Sequence, residues 1–186
     1  GSAPRRLARH RRADRDILGR MDVASFAELK SVHAWLDELF LQHQFALVAG
    51  DLDAAASRFA TYTVALDTHM ADEHDHLIPV YDARTANVPG GHRDFFVGEH
   101  AKLRQLVDDC RTRLAGLPAL CGEARQRALV ALLDREAFMK TYVEHHHARE
   151  ENILFPMLDR VTEPGERAAL LGQCRSIAAS RAGIPA

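Results

Sequence analysis

The chain has few cysteines, and they form no recognisable motif. There are three cysteines, an odd number, and no two of them have CxxC spacing: Cys110, Cys121 and Cys174. We therefore expect reduced thiols and not a disulfide framework. Long apolar runs are also missing. No stretch approaches the roughly 18–20 consecutive apolar residues that cross a bilayer, and the first residues do not read as a signal peptide. We therefore expect a cytoplasmic protein that does not span a membrane.

Positive charge is concentrated near the N-terminus. Residues 1–20 carry seven arginines against two aspartates, although the whole chain has a formal net charge of -2. Such a segment can bind nucleic acid or an anionic surface, but this one has no aromatic residues and no nucleic-acid reader motif. We interpret residues 1–21 as a solvated basic extension and expect no nucleic-acid partner.

Apolar residues recur with a helical period along most of the chain, which predicts an all-α protein. Glycine- and proline-rich stretches, at Gly50, at "TANVPGG" (85–91) and at "GLPALCG" (116–122), divide the chain into long segments. The predicted helices cover about 25–50, 51–84, 92–115 and 123–160, and a short helix follows "TEPGE" (162–166). In the first helix, Ser25 and Glu28 have the spacing of a capping box.

Four long helices with short connections favour an up-down-up-down four-helix bundle. We predict that this bundle occupies residues 22–160. A short C-terminal helix and a tail follow over residues 161–186.

Polar residues interrupt the apolar stripe of every predicted helix, which a core built only for stability would avoid. In antiparallel neighbours, residues equidistant from the connecting turn lie at the same height. By this rule four positions, one on each helix, lie at the same height: His33, the midpoint of His69–Glu73, His100 and the midpoint of His146–Glu150. The resulting layer has six inward residues: His33, His69, Glu73, His100, His146 and Glu150.

Four imidazoles and two carboxylates in a bundle core need a compensating charge. A histidine and a glutamate at i, i+4 lie on one helix face, so the two members of such a pair can bind one ion together. Carboxylates from opposite helices can each bridge two ions. Mixed nitrogen and oxygen ligands with open positions fit iron, with manganese or zinc as alternatives. One histidine on such a stripe is more often a hydrogen-bonded core residue, but four histidines and two glutamates in one layer favour a dinuclear metal site.

Two related motifs carry this pattern, "HMADEHDHLIP" (69–79) and "HHHAREENILFP" (145–156), and each has a proline six residues after its glutamate. The order H…HxxxE…H…HxxxE over residues 25–160 resembles the hemerythrin-like (HHE cation-binding) family. The resemblance implies two non-haem irons joined by carboxylates and a solvent oxygen, either water or an oxo or hydroxo group. His33 and His69 would hold one iron, and His100 and His146 the other. Glu73 and Glu150 would bridge them.

The spacing from each glutamate to its proline selects His146 as the inward residue of its cluster, so His145 and His147 are interpreted as flanking residues. The sequence also departs from the oxygen-carrying members of the family, which have two histidines at i and i+4 on the third helix. Here Phe96 stands four residues before His100. One iron would therefore have one protein nitrogen fewer, unless His74 or Glu99 replaces it.

A further inward histidine, His43, is ten residues beyond His33 and therefore about 15 Å from the predicted metals. It should lie at the height of Glu136, which is ten residues before His146. We predict a buried, hydrogen-bonded His43–Glu136 pair with a structural role.

Three functions fit the predicted site. The first is a module that binds or senses O2 or a related small oxidant such as nitric oxide or peroxide. The second is a diiron oxidoreductase of the oxidase or peroxidase type, since open positions allow an oxidant to be activated. The third is iron handling or sensing, with iron itself as the cargo or signal. The sequence has no second, substrate-recognising motif, and a fold alone does not identify a function.

Overall fold

The computed structural model describes residues 24–86 and 88–183, and every regular element in these two ranges is a helix. The predicted basic extension over residues 1–21 lies outside the described residues. The α-helices are α1 (Lys30–Ala49), α2 (Leu52–Asp72), α3 (Ile78–Arg84), α4 (Arg93–Gly116), α5 (Gly122–Arg149), α6 (Phe155–Val161), α7 (Pro164–Gln173) and α8 (Arg175–Ala182). Two 3₁₀ turns (Phe26–Leu29 and Leu117–Ala119) and two π-helical turns (Glu73–Leu77 and Glu150–Leu154) complete the set. The all-α prediction is confirmed.

The connection between α1 and α2 has the chemistry predicted for it. Gly50 ends α1 with a φ of 78°, a left-handed conformation that favours glycine. Asp51 then caps α2, because its side chain accepts a hydrogen bond of 3.0 Å from the backbone N–H of Ala54. The predicted boundary at this turn is therefore confirmed.

The start of the first helical segment differs in detail from the predicted capping box. The Ser25 hydroxyl accepts a hydrogen bond from the Ala27 N–H at 3.1 Å and donates to Asp159 at 2.6 Å. The Glu28 carboxylate instead accepts a hydrogen bond of 3.0 Å from the Arg181 guanidinium. Ser25 therefore acts as a cap, while the Glu28 side chain pairs with Arg181.

Both repeated motifs produce the same local structure. Each π-helical turn begins at the glutamate of its motif and is followed by a short helix with proline as its second residue, Pro79 in α3 and Pro156 in α6. Proline has no N–H to donate to the carbonyl four residues earlier, and its ring crowds that carbonyl. The backbone widens by one residue at this point, as is frequent at functional sites.

The long helices pack in pairs, α1 along α2 and α4 along α5, and α8 lies against α1 and α2. Leucine and methionine side chains fill the space between them, among them Leu36, Leu66, Leu103 and Met139. Within the described ranges, no helix combines the length and the apolar character that a membrane crossing requires.

The C-terminal region contains two short helices where the sequence predicted one. The chain breaks at Cys174, which has an extended ψ of 107°. The buried Asp72 carboxylate accepts a hydrogen bond of 2.7 Å from the Ser176 N–H at the start of α8. A carboxylate at this position satisfies an amide that the helix leaves without an internal partner. This long-range contact accounts for the separate start of α8.

Candidate metal centre

The six residues predicted to share one layer meet in the core. Their positions are His33 in α1, His69 in α2, Glu73 at the first π-helical turn, His100 in α4, His146 in α5 and Glu150 at the second π-helical turn, and all six are buried. The Nε2 atoms of His33 and His69 are 3.1 Å apart, and those of His100 and His146 are 3.0 Å apart. The structure therefore brings the histidines together in the two pairs that the family resemblance implied.

The buried donors form two groups that could each hold an ion. One group contains His33, His69, His147 and Glu150, and the other contains Glu73, His100, His146 and Glu150. Within each group the candidate ligand atoms all lie within 4.8 Å of one another. Glu150 belongs to both groups, as a bridging carboxylate would.

The two carboxylates each face histidines of both pairs. The Glu150 oxygens lie 3.2 Å from His33 Nε2 and 2.7 Å from His146 Nε2. The Glu73 oxygens lie 3.6 Å from His69 Nε2 and 3.1 Å from His100 Nε2. This arrangement lets each glutamate present one oxygen to each of two adjacent ions.

The donor set has more buried polar atoms than the protein can satisfy. Within the described part of the chain, neither oxygen of Glu73 and neither oxygen of Glu150 has a partner in hydrogen-bond geometry. A buried polar atom without a partner costs roughly 1–3 kcal/mol, and more when it is charged. Cations held between these oxygens and the imidazole nitrogens would remove that cost, so the residues present fit a pair of metal ions.

Protons partly balance the carboxylates when no metal is bound. Burial would raise the pKa of Glu150, but His146, His100 and His33 together outweigh burial and hold this pKa well below the usual range. Burial would lower the pKa of His146, but Glu150, Glu99 and Glu73 together outweigh it and raise this pKa to about 10. The pKa of His69 is raised as well, because Glu73 and Glu150 together outweigh burial. Metal binding would replace these protons with cations.

Two outer carboxylates orient a histidine of each pair. His33 donates from Nδ1 to Glu151 over 2.8 Å, and Lys30 lies 3.3 Å from the other oxygen of Glu151. His146 donates from Nδ1 to Glu99 over 3.1 Å, and Arg149 donates to the same carboxylate over 2.9 Å. One proton of each ring is fixed on Nδ1, so Nε2 faces the centre, and its lone pair becomes available to a metal once any proton on Nε2 is displaced.

His147 is the residue that the sequence interpretation missed. It was predicted to flank the site like His145, yet it is buried while His145 is exposed. Its ring stacks on that of His33 with a centroid distance of 3.7 Å and an interplanar angle of 1°. Burial, with the nearby charge of His33, lowers its pKa well below the usual value. A signal was present, because "HHHAREE" contains two overlapping HxxxE registers, His146–Glu150 and His147–Glu151.

The two residues considered as replacements for a third-helix histidine are placed outside both donor groups. Glu99 is occupied by His146 and Arg149. The ring of His74 lies 5.0 Å from that of His100. Phe96 is fully buried, and its ring packs edge-on against Tyr81 at 5.7 Å.

The predicted pair below the metal layer is confirmed. His43 and Glu136 are both fully buried, and His43 Nε2 lies 2.8 Å from a Glu136 oxygen. The other oxygen of Glu136 accepts a hydrogen bond of 3.1 Å from Gln44. Every polar atom of the pair is satisfied, which supports the structural role.

Comparison with known proteins gives one match. A model of the family described as "Hemerythrin HHE cation binding domain" matches residues 92–177, which include His100, His146 and Glu150 and leave His33, His69 and Glu73 outside. Searches of curated proteins and of solved structures returned no match. The likeness predicted from the paired HxxxE motifs is therefore confirmed by a match of this chain, over residues 92–177, to the hemerythrin HHE cation-binding family.

Proposed function

We propose that this protein is a non-haem diiron protein of the hemerythrin type that binds or senses O2 or a related small oxidant. The ions would be held by His33, His69, Glu73, His100, His146 and Glu150. The observation that carries this proposal is the sharing of Glu150 between two buried donor groups. Iron is the metal that fits mixed imidazole and carboxylate ligation with open positions, and manganese or zinc are the alternatives.

The proposed architecture is an up-down-up-down bundle of four long helical segments, 30–49, 52–84, 93–116 and 122–161. In such a bundle each segment contributes one part of the layer, since its inward face meets the other three at the same height. The division into a basic extension, a bundle over residues 22–160 and a C-terminal region belongs to this proposal. So does the cytoplasmic location, which was predicted from the cysteine content.

The protein's own residues would bind, orient and shield the ions. Glu73 and Glu150 would hold the two cations, while Glu151 and Glu99 fix the ring orientations of His33 and His146. Phe155, whose ring lies 5.6 Å from that of His33, and Phe96 supply apolar surroundings that limit the access of water. When bound, the irons would supply a reversible change of oxidation state and open positions for a small oxidant.

A second candidate function is a diiron oxidoreductase that uses O2 or peroxide. It is favoured by the donor group of Glu73, His100, His146 and Glu150, which contains only two imidazoles. Fewer protein ligands leave more positions for an oxidant or a co-substrate. Iron handling or sensing is a further alternative, in which the ions leave the site.

One experiment separates the three functions. The iron-loaded protein is reduced without air, oxygen is admitted and then removed, and the visible spectrum, the reductant consumed and the iron retained are followed. A spectral change that reverses when oxygen is removed supports binding or sensing. Continued consumption of reductant supports an oxidoreductase, and loss of iron on a change of redox state supports iron handling. A protein that takes up no metal would overturn the proposal.

A further inference from the structure

We propose that His147 is a third nitrogen ligand of the ion held by His33 and His69, and that the two ions consequently differ in their protein ligands. This inference rests on the proposed diiron function. The ion on the His33 side would have three imidazoles, whereas the ion on the His100 side would have two.

The placement of His147 carries the inference. A ring nitrogen of His147 lies within 4.8 Å of the ligand atoms of His33, His69 and Glu150. Nitrogens that bind one ion at about 2.1 Å in adjacent positions are roughly 3 Å apart, and the Nε2 atoms of His33 and His69 have this separation, at 3.1 Å. The His147 ring stacks on that of His33 at a centroid distance of 3.7 Å. Because a metal lies in the plane of an imidazole ligand, one of the two rings tilts when both bind the same ion.

A buried nitrogen of His147 without a hydrogen-bond partner also supports the inference. Among the described residues, His147 Nε2 is buried and has no hydrogen-bond partner. Leaving such an atom unsatisfied costs free energy that a metal–nitrogen bond would recover. His145, which precedes His146, is exposed and has no comparable constraint.

The two overlapping HxxxE pairs, His146–Glu150 and His147–Glu151, have different roles in this arrangement. Glu150, four residues after His146, lies between both pairs of histidines. Glu151, four residues after His147, turns away from the ions and holds His33 Nδ1 at 2.8 Å. The second register therefore supplies one candidate ligand, His147, and one orienting carboxylate, Glu151.

The test compares the protein of 186 residues with three variants, His147→Ala, His147→Phe and His145→Ala. The phenylalanine keeps a flat ring against His33 but has no nitrogen, so it separates ligation from packing. Each metal-free protein is loaded anaerobically with ⁵⁷Fe(II), excess iron is removed, and iron content and Mössbauer spectra are measured. Circular dichroism checks that each variant is folded.

Wild type and His145→Ala should retain about two irons per chain in two spectroscopically distinct environments, and both His147 variants should bind one of the two irons at least about tenfold more weakly. Added imidazole should restore the second iron to His147→Ala, where a cavity admits it, and not to His147→Phe. Two irons with a wild-type spectrum in a folded His147→Phe protein would overturn the inference and leave the diiron proposal standing. A wild-type protein without bound iron would overturn both.

Discussion

His43 Nε2 lies 2.8 Å from a carboxylate oxygen of Glu136 in the fully buried core. His43 Nδ1 lies 2.8 Å from the Ala55 carbonyl oxygen, which can only accept, so Nδ1 carries a proton. One further proton is then shared between Nε2 and Glu136. The pair links α1 to α5 and, through Ala55, to α2.

Removing one partner of this pair should destabilise the fold without removing metal. Glu136→Ala leaves His43 buried and without its partner, so we expect a loss of roughly 3–5 kcal/mol in the free energy of unfolding. Glu136→Gln keeps one hydrogen bond and should cost less. Urea unfolding of the metal-free protein measures the change, and the exposed Glu144→Ala serves as the control, with an effect within about 0.5 kcal/mol. Equal stability of Glu136→Ala and Glu144→Ala would refute the structural role.

The outer carboxylates should control metal affinity. Glu151→Ala and Glu99→Ala each remove the group that fixes the ring of one candidate ligand, His33 or His146. We expect each variant to bind iron roughly 10–100-fold more weakly, with little change in the fold. Competition with a coloured chelator measures the affinity. Asp94→Ala is the control, because Asp94 is an exposed acid on the same helix as Glu99, and its affinity should equal that of wild type.

The ion pairs of Asp109 should make part of the stability dependent on pH. Burial would raise the pKa of Asp109, but Arg113 of α4 and Arg135 of α5 outweigh it and lower this pKa. A lowered pKa in the folded state contributes stability above the unfolded value of about 3.8. That contribution is lost as pH falls through the folded pKa. Asp109→Asn should thus be less stable than wild type at pH 7, and the difference should shrink as pH falls below about 3.8 in urea unfolding of metal-free protein. A constant difference across this range would contradict the assignment.

The capping contact between Asp72 and Ser176 should determine the stability of α8. Asp72→Ala removes the acceptor of the Ser176 N–H, and losing such a cap costs about 1 kcal/mol. Amide hydrogen exchange should therefore accelerate across residues 175–182 and remain unchanged in α4. Asp75→Ala changes an exposed acid three residues away and provides the matched control. Unchanged exchange in α8 would show that other contacts hold this helix.

The positions of the helices and of the candidate ligands could be predicted because they depend on local signals. Gly50 and Asp51 define a turn by their own conformational preferences, and the distances counted from that turn place His33 level with the midpoint of His69–Glu73. The same counting identified the His43–Glu136 pair. These inferences need only the rise of a helix and the location of its ends.

The remaining features depend on contacts that a single sequence does not reveal. His147 in α5 is buried because its ring packs against His33 in α1. The helical spacing alone predicted that it would lie beside the site and not within it. The start of α8 depends on Asp72, which is 104 residues before Ser176. The π-helical turns at Glu73 and Glu150 are caused by the prolines that follow them. In the sequence, these prolines were used only to decide which histidine faces inward.

Binding of two ions between shared carboxylates is tested most directly by anaerobic titration of the metal-free protein with Fe(II), with bound iron counted in wild type, Glu150→Ala and His145→Ala. We expect saturation at about two irons per chain in wild type and His145→Ala, and a large loss in Glu150→Ala because this residue would serve both ions. Saturation of wild type at one iron or none, or full binding by Glu150→Ala, would contradict it.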